Sequence, residues 1–389
     1  MGREKPGQHA VLLLPMLLVA CGERGDEIRE PPSDLEQALQ GEATHQLETL
    51  GRTGVEDPIG VVFDAAIDGE DRVHVVDASG DRGHVVDTLG DRQGTWGRAG
   101  EGPGEFQFLY SVSTLGGDTL VAYDRGLGRV TFLDAADGEA LETLSLGQSG
   151  GGRPTQVRPL SSDQVMAKHL PAGFVAEEGP ERDRGFGYID VLDRSGEVLH
   201  DSVIAFPPET AHTWGDGGGA GGFMANHFGS RPLLDVGAGG VIHRVSTDSV
   251  AVSTYNVDGD RTAFFHVEVD PVPVDEELVE RWIAEEPPFE RVEGLEEEFR
   301  AEAETAPVVT GFAADGDGRL WLGVRGEGIP HGRWIAVSQE GEPLATVDLP
   351  EGQAIMAARG DLLVTAPQFA RLIVDVPIVQ IHRLEGAAN

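Results

Sequence analysis

Six residues of this 389-residue chain have side chains suited to holding or activating a ligand: Asp64, Tyr110, Arg158, His227, Arg231 and Asp235. Of these, Asp64, Asp235 and His227 could act as a base beside a divalent ion. His212 and His227 flank a glycine run at 215–222, which would suit a mobile lid, although no zinc-type HExxH or HxH spacing is present. A second cation candidate is Asp315-Gly316-Asp317-Gly318, where alternate carboxylates look like a calcium loop. Arg319 stands where such a loop needs another acid or amide, so a hairpin turn is the stronger reading. The stretch from Gly97 to Gly104 is glycine-dense, as phosphate cradles are, but no Lys-Ser/Thr and no helix completes it.

The single cysteine, Cys21, has a different chemistry available. Arg3 and Lys5 precede an apolar run of ten residues, 11–20. A spanning helix needs about 20, so the run reads as the core of an export signal. Its end, Leu18-Val19-Ala20-Cys21-Gly22, resembles a bacterial lipobox. That resemblance implies lipid attachment to the Cys21 thiol, cleavage before it and acylation of the new amino terminus. Gly22, rather than Asp, favours the outer membrane. Residues 22–43 are polar and acidic with a Pro pair, and read with Cys21 as a lipidated flexible tether over 21–43.

Composition narrows the partners. Lys+Arg number 29 against Asp+Glu 67, a formal net charge of −38. Nucleic acid and anionic membrane surfaces need a basic face and are excluded, leaving the lipid anchor as the membrane contact. Hydrophobic residues are 40% of the chain, enough for a large core. One cysteine excludes a disulfide framework and a Cys-based zinc site. The only lysines are Lys5 and Lys168, which fits either a saline habitat or a GC-rich genome. A monomer is expected.

The candidate residues matter because of the elements that would carry them. Turn residues rich in Gly and Asp precede six short β-rich runs, beginning at Arg72, Thr119, Gln164, Val241, Arg319 and Asp361. Spacings of 47, 45 and 42 residues match one four-stranded propeller blade. Each hairpin is followed by a third strand, and five of them by a fourth. The sixth lacks room for one before Asn389. The missing strand is visible at the other end, where Leu50-Gly51-Arg52-Thr53-Gly54 repeats Trp96-Gly97-Arg98-Ala99-Gly100 after a fourth strand. Residues 45–50 should therefore complete the last blade. The expected fold is all-β, a six-bladed propeller over 44–389 closed by that N-terminal strand. Insertions fall at 207–228 and 275–304. The second carries thirteen acids and reads as two short amphipathic helices.

The stretch Gly97-Arg98-Ala99-Gly100-Glu101-Gly102-Pro103-Gly104-Glu105-Phe106, with Asp77 and Asp124 ending second strands, resembles the NHL repeat family. More narrowly the chain resembles six-bladed propeller lipoproteins of bacteria. The resemblance implies a fold and a habit of binding, and transfers no catalytic residue. First strands line a propeller channel, which makes Asp64, Tyr110, Arg158, Arg231 and Asp235 the pocket candidates, with inter-blade ion pairing as the alternative role. Two functions compete. One is a non-catalytic envelope module that binds a protein, peptide or glycan. The other is a metal-assisted hydrolase or lyase, lactonase- or esterase-like, in the channel. No cofactor is expected for the first, and Ca2+ in the channel is the ion left open for the second.

Overall fold

The computed structural model describes residues 34–54, 58–146, 153–170, 186–207, 211–214, 222–225, 229, 231–276, 278–279, 304–350, 352–367 and 378–386. Six four-stranded antiparallel sheets form the blades. Blade I holds Val62–Ile67, Val73–Asp77, Arg82–Val86 and Arg92–Trp96; blade II holds Leu109–Leu115, Thr119–Asp124, Arg129–Asp134 and Ala140–Ser145. Blade III holds Gln156–Pro159, Gln164–His169, Gly187–Asp193 and Val198–Phe206; blade IV holds Pro232–Val236, Ile242–Ser246, Val250–Tyr255 and Arg261–Val267. Blade V holds Val309–Ala314, Leu320–Val324, Arg333–Val337 and Pro343–Asp348. Blade VI holds Gln353–Arg359, Leu362–Pro367 and Val379–Gly386, and takes His45–Thr53 as its outer strand. First strands touch in the order I to VI and back to I. The fold is a six-bladed β-propeller.

The closing strand pairs antiparallel with Val379–Gly386, from His45 opposite Gly386 to Thr53 opposite Val379. It covers what would be an open sheet edge. Burial explains the strand sequences. Second and third strands lie between two neighbouring blades, so both their faces are covered. Val73–Asp77, Leu320–Val324 and Arg333–Val337 are accordingly buried at every residue and read as near-continuous apolar runs. Outer strands such as Ala140–Ser145 meet solvent and are mostly polar or exposed. Interleaved cores such as Ala313, Trp321, Trp334, Ile355 and Leu363 fill the gap between blades V and VI.

Two turn devices recur. Asp68 accepts hydrogen bonds from the Glu70 and Arg72 amides, from Arg72 Nε at 2.7 Å and from His74 Nε2 at 2.9 Å. Asp315 does the same with the Asp317 and Arg319 amides, Arg319 Nε at 2.6 Å and Trp321 Nε1 at 3.3 Å. The suspected calcium loop is therefore a hairpin turn with its buried carboxylate fully engaged. Between third and fourth strands, Asp87, Asp193 and Asn256 each accept two amides of their own turn. Gly196 and Gly259 in these turns have φ of 84°, and a Cβ would sit 2.6 Å from Ser145 O and 2.4 Å from Val203 O of the preceding blade. Glycine lets the turn press against its neighbour.

Antiparallel order puts the first-to-second and third-to-fourth turns on one face of the ring. Second-to-third loops and blade connectors share the other, here called the loop face. Both expected insertions leave from the loop face. The first contains a hairpin, Ala211–Trp214 paired with Gly222–Ala225, so His212 lies on a strand rather than in the loop expected there. Residues 215–221 and His227 lie outside the described residues, as does Cys21. Of the second insertion only its start is described, where Asp275 caps Leu278 N at 2.8 Å and Val279 is buried.

The tether ends sooner than expected. Leu35–Gln40 is an α-helix with Leu35 and Leu39 buried in the core shared by blades IV and V. These are good helix formers, and the two leucines four apart share one face. Arg333, buried in blade V, bonds through Nη1 to the carbonyls of Ala38, Leu39 and Gly41 and through Nε to Asp348 at 2.6 Å. A cation there satisfies the carbonyls at the helix end. Thr44 then pairs with Thr346 in both directions. The expectation of a flexible stretch up to residue 43 fails because its last ten residues carry two leucines that this core buries.

Candidate functional site

Three of the sequence candidates meet in the channel. Arg158 Nη2 lies 3.1 Å from Asp64 Oδ2, and Arg158 Nε lies 3.1 Å from Asp235 Oδ1. Both carboxylates also accept backbone amides from the next blade: Asp64 from Val112 at 3.2 Å and Asp235 from Ala314 at 3.0 Å. Each takes a further amide from the residue that follows it, Ala65 or Val236. One guanidinium thus joins blades I, III and IV, and the two carboxylates extend the tie to blades II and V. Burial pushes the Asp64 carboxyl above its usual range, while Arg158 and the two amides oppose the rise. Burial would lower Arg158, but the two carboxylates outweigh it and raise it.

This arrangement is built to hold blades together. Every carboxylate oxygen in it has a donor, which leaves neither acid in the state of a ready base. Among the described residues no three His, Cys, Asp or Glu side chains converge as they would to hold a metal ion.

Nearer the loop face the channel mouth is aromatic. Phe63, Phe108 and Tyr110 are partly buried and meet edge-to-face, with ring centroids 5.3 to 5.9 Å apart. The Arg125 guanidinium lies 5.5 Å from the centre of the Tyr110 ring. Local backbone irregularity aims these side chains. The ladder between the first two strands of blade I slips between Val62 and Ala65, and that of blade II between Leu109 and Ser111. Phe63, Asp64 and Tyr110 are the residues in those bulges, which turn side chains out of the regular alternation.

A buried carboxylate sets the mouth's frame. Asp124, at the end of the second strand of blade II, accepts the amides of Gln107 at 2.9 Å, Phe108 at 3.2 Å and Leu127 at 2.9 Å. It therefore holds the connector bearing Phe108 against the loop bearing Arg125. Gly126 lets them approach, since a Cβ there would come within 3.0 Å of Phe108 Cβ. Asp77 plays the same part in blade I, accepting Val61 N, Ser79 N and Ser79 Oγ, with His84 at 3.3 Å. Those bonds overcome burial and hold its carboxyl far below the ordinary range.

Arg231 lies beside the first strand of blade IV, where its amide bonds Thr247 Oγ1 at 2.9 Å. Phe63, Phe108 and Arg125 were missed from sequence. Alternating aromatics at Phe108 and Tyr110, leading into a first strand, were the available signal. Gly97 to Gly104 is a connector as expected, tied by Arg98 to Glu105 at 2.7 Å. A separate small cavity beside the N-terminal helix is lined by Glu36, Leu39, Glu268, Asp270, Glu327 and Ile329.

Comparison with known proteins supports the architecture. A solved member of the duf4221 family from Bacteroides vulgatus is similar over 90% of this chain and 100% of its own, with 10% identity and a TM-score of 0.53. At that identity the likeness concerns the fold alone. A candidate exported protein of Bacteroides fragilis aligns over 88% of this chain and 96% of its own at 11% identity and a TM-score of 0.48. A gluconolactonase of Xanthomonas campestris aligns over 91% and 94% at 15% identity and 0.44. No protein-family model matches the chain, and no curated protein does. No helix among the described residues is long and apolar enough to cross a membrane.

Proposed function

We propose that this chain is a bacterial envelope lipoprotein, anchored by lipid on Cys21 with the outer membrane as its site, whose NHL-like propeller binds a protein, peptide or glycan at the loop-face channel mouth. The observation that carries this reading is the contrast between two halves of the channel. The ionisable half is closed on itself, with Asp64, Arg158 and Asp235 satisfying one another. The aromatic half presents partly buried rings and a cation in a rigid frame. That favours binding over acid–base chemistry. Tyr110 belongs to the binding surface, while Asp64, Arg158 and Asp235 support it, and Arg231 and His227 are further contacts to test on the same face. Neither nucleic acid nor a second copy of the chain is required.

The metal-assisted hydrolase or lyase remains the second reading, with a calcium ion beside Asp64 and Asp235 as its cofactor. It requires Arg158 to leave the carboxylates when the ion enters. One comparison tests both readings. Dialysed mature protein is assayed for bound metal, melted with calcium and with EDTA, and used to capture envelope components beside a Tyr110→Ala variant. Capture that depends on Tyr110, with no metal and no EDTA shift, supports binding. A stoichiometric ion and a melting point lowered by EDTA would overturn it in favour of the enzyme. Palmitate labelling that persists in Cys21→Ser would remove the anchor.

A further inference from the structure

Asp81 is held at a cost in three ways. The first is its backbone. Four residues after Asp124, the second-to-third loop of blade II has Gly128 at φ 65°, and the matching place in blade I, four residues after Asp77, is Asp81 at φ 48°. That left-handed region suits glycine and strains most other residues. The second is position: Asp81 is half-buried at the seam between blades I and II, where its Oδ1 accepts Leu109 N at 3.2 Å. The third is charge. Asp77 on its own loop and Asp124 across the seam both act on it, and both are negative. Those two acids are enclosed by donors, four on Asp77 and three on Asp124, whereas Asp81 has the one amide. Other charged groups around it are turned elsewhere. His84 goes to Asp77, Arg98 and Glu105 pair with each other, and Arg125 lies over the Tyr110 ring. Among the described residues neither Arg82 nor Arg125 forms an ion pair with Asp81.

A charged group kept under such costs marks a working position. Resting on the binding reading above, we propose that Asp81 is a proton-sensitive clasp between blades I and II that sets the channel mouth. Leu109 opens the strand Leu109–Leu115, and Phe108 and Tyr110 flank it, so a shift of Leu109 moves two rings of the mouth. Ionised, Asp81 is repelled by Asp77 and Asp124, and the seam is loosened. Protonated, it keeps a carbonyl oxygen for Leu109 N while the repulsion is gone. Burial pushes the Asp81 carboxyl above its ordinary range; the Leu109 amide opposes the rise, and Asp124 and Asp77 add to it. The folded chain therefore holds this proton more firmly than the unfolded chain, so the clasped form gains as pH falls through that range.

Asp81→Asn imitates the protonated state: it has no charge, keeps an oxygen for Leu109 N and suits a left-handed backbone. The mature protein and this variant are followed by NMR from neutral to acid pH, through the side-chain carboxyls and the amides of residues 107–112. In the wild type the Asp81 carboxyl should titrate above 3.8, and the Leu109 and Tyr110 amides should shift with the same midpoint. In Asp81→Asn those amides should stand at their low-pH positions already at neutral pH and should not move at that midpoint. Amide exchange at Leu109 should be slowed about tenfold in the variant at neutral pH, the factor that one unit of relief is worth. Asp163→Asn, at an exposed turn acid, should change none of this. An Asp81 midpoint at or below 3.8 overturns the clasp, as do Leu109 and Tyr110 amides that ignore it, or exchange in Asp81→Asn no slower than in Asp163→Asn. Should the variant not fold, the wild-type titration alone decides. None of these readouts needs a ligand, so the clasp and the binding reading fail separately.

Discussion

At the scale of single residues, acids in this protein act more as fasteners than as reagents. Asp68, Asp77, Asp124 and Asp315 each gather donors at a turn or connector, and Asp64 with Asp235 encloses Arg158. Arg158 is the group whose loss should be felt most. Arg158→Met keeps volume but leaves two buried carboxylates unpaired, and removal of one partner from a buried ion pair costs about 3–5 kcal/mol. Asp64 already has a raised carboxyl, and loss of Arg158 raises it further. The variant's deficit should therefore shrink as pH falls and Asp64 takes a proton. Urea unfolding at pH 7.5 and pH 5 measures this, and a deficit that is equal or larger at pH 5 refutes it. Asp124→Ala removes an acceptor of three amides and should cost roughly 3 kcal/mol, since bonds to charged groups are each worth about 1.5–3 before relaxation and water recover part. Partner binding at the mouth should weaken with it, because Phe108 and Arg125 lose their common support.

Elements bring a second set of consequences. The N-terminal helix is part of the folded body, so Leu39→Ala should destabilise by about 2–4 kcal/mol, the usual range for a buried leucine. Limited digestion with a Glu-specific protease provides an independent check. Glu36, whose neighbours Leu35 and Leu39 are buried, should resist cutting. Early cleavage at Glu36 would restore the longer tether. If Cys21 is lipidated, twelve residues separate it from the start of the packed region at Asp34. Fully extended they reach about 40 Å, at 3.3–3.6 Å per residue. The same closure logic applies to His45–Thr53: a chain beginning at Gly54 exposes the edge of Val379–Gly386 and should self-associate on size-exclusion chromatography.

For the molecule as a whole, buried histidines predict an acid limit. Burial pushes the His243 and His382 rings down to about 4 from an ordinary 6.5. Folded, both stay neutral; unfolded, both take a proton. Stability is then complete above pH 6.5 and falls as pH drops toward 4, by roughly 3 kcal/mol per ring at 1.36 kcal/mol per unit. Asp68 and Asp77, whose carboxyls are lowered, lose stability in the same direction. Unfolding free energies should stay level from about pH 7.5 to 6.5 and decline from there to about pH 4.5, and a profile flat over the lower range would contradict this account. In blade IV, Gly237 stands six residues before His243, as Asp68 stands before His74, and His243 Nε2 has no partner. Among the described residues no carboxylate bonds His243 as Asp68 bonds His74, so burial outweighs the nearby charge of Asp235 and holds the ring neutral.

Much of this was legible in the chain. The period of the Gly/Asp turns, the apolar second strands and the repeat of Leu50-Gly51-Arg52-Thr53-Gly54 by Trp96-Gly97-Arg98-Ala99-Gly100 determined six blades and their closure, because hairpin geometry and two-sided burial are local demands that leave local marks. First-strand position also singled out Asp64, Tyr110, Arg158 and Asp235. Which of them meet was decided only by the ring. Arg158 bridges residues 94 earlier and 77 later in the chain, a contact that no spacing announces. Phe63, Phe108 and Arg125 came into view only because two bulges and one buried aspartate aim three segments at the same point. The helix at Leu35–Gln40 was hidden for the opposite reason. Its sequence is polar enough to float free, and only the leucine-lined core of blades IV and V with Arg333 beside it gives its two apolar residues somewhere to go.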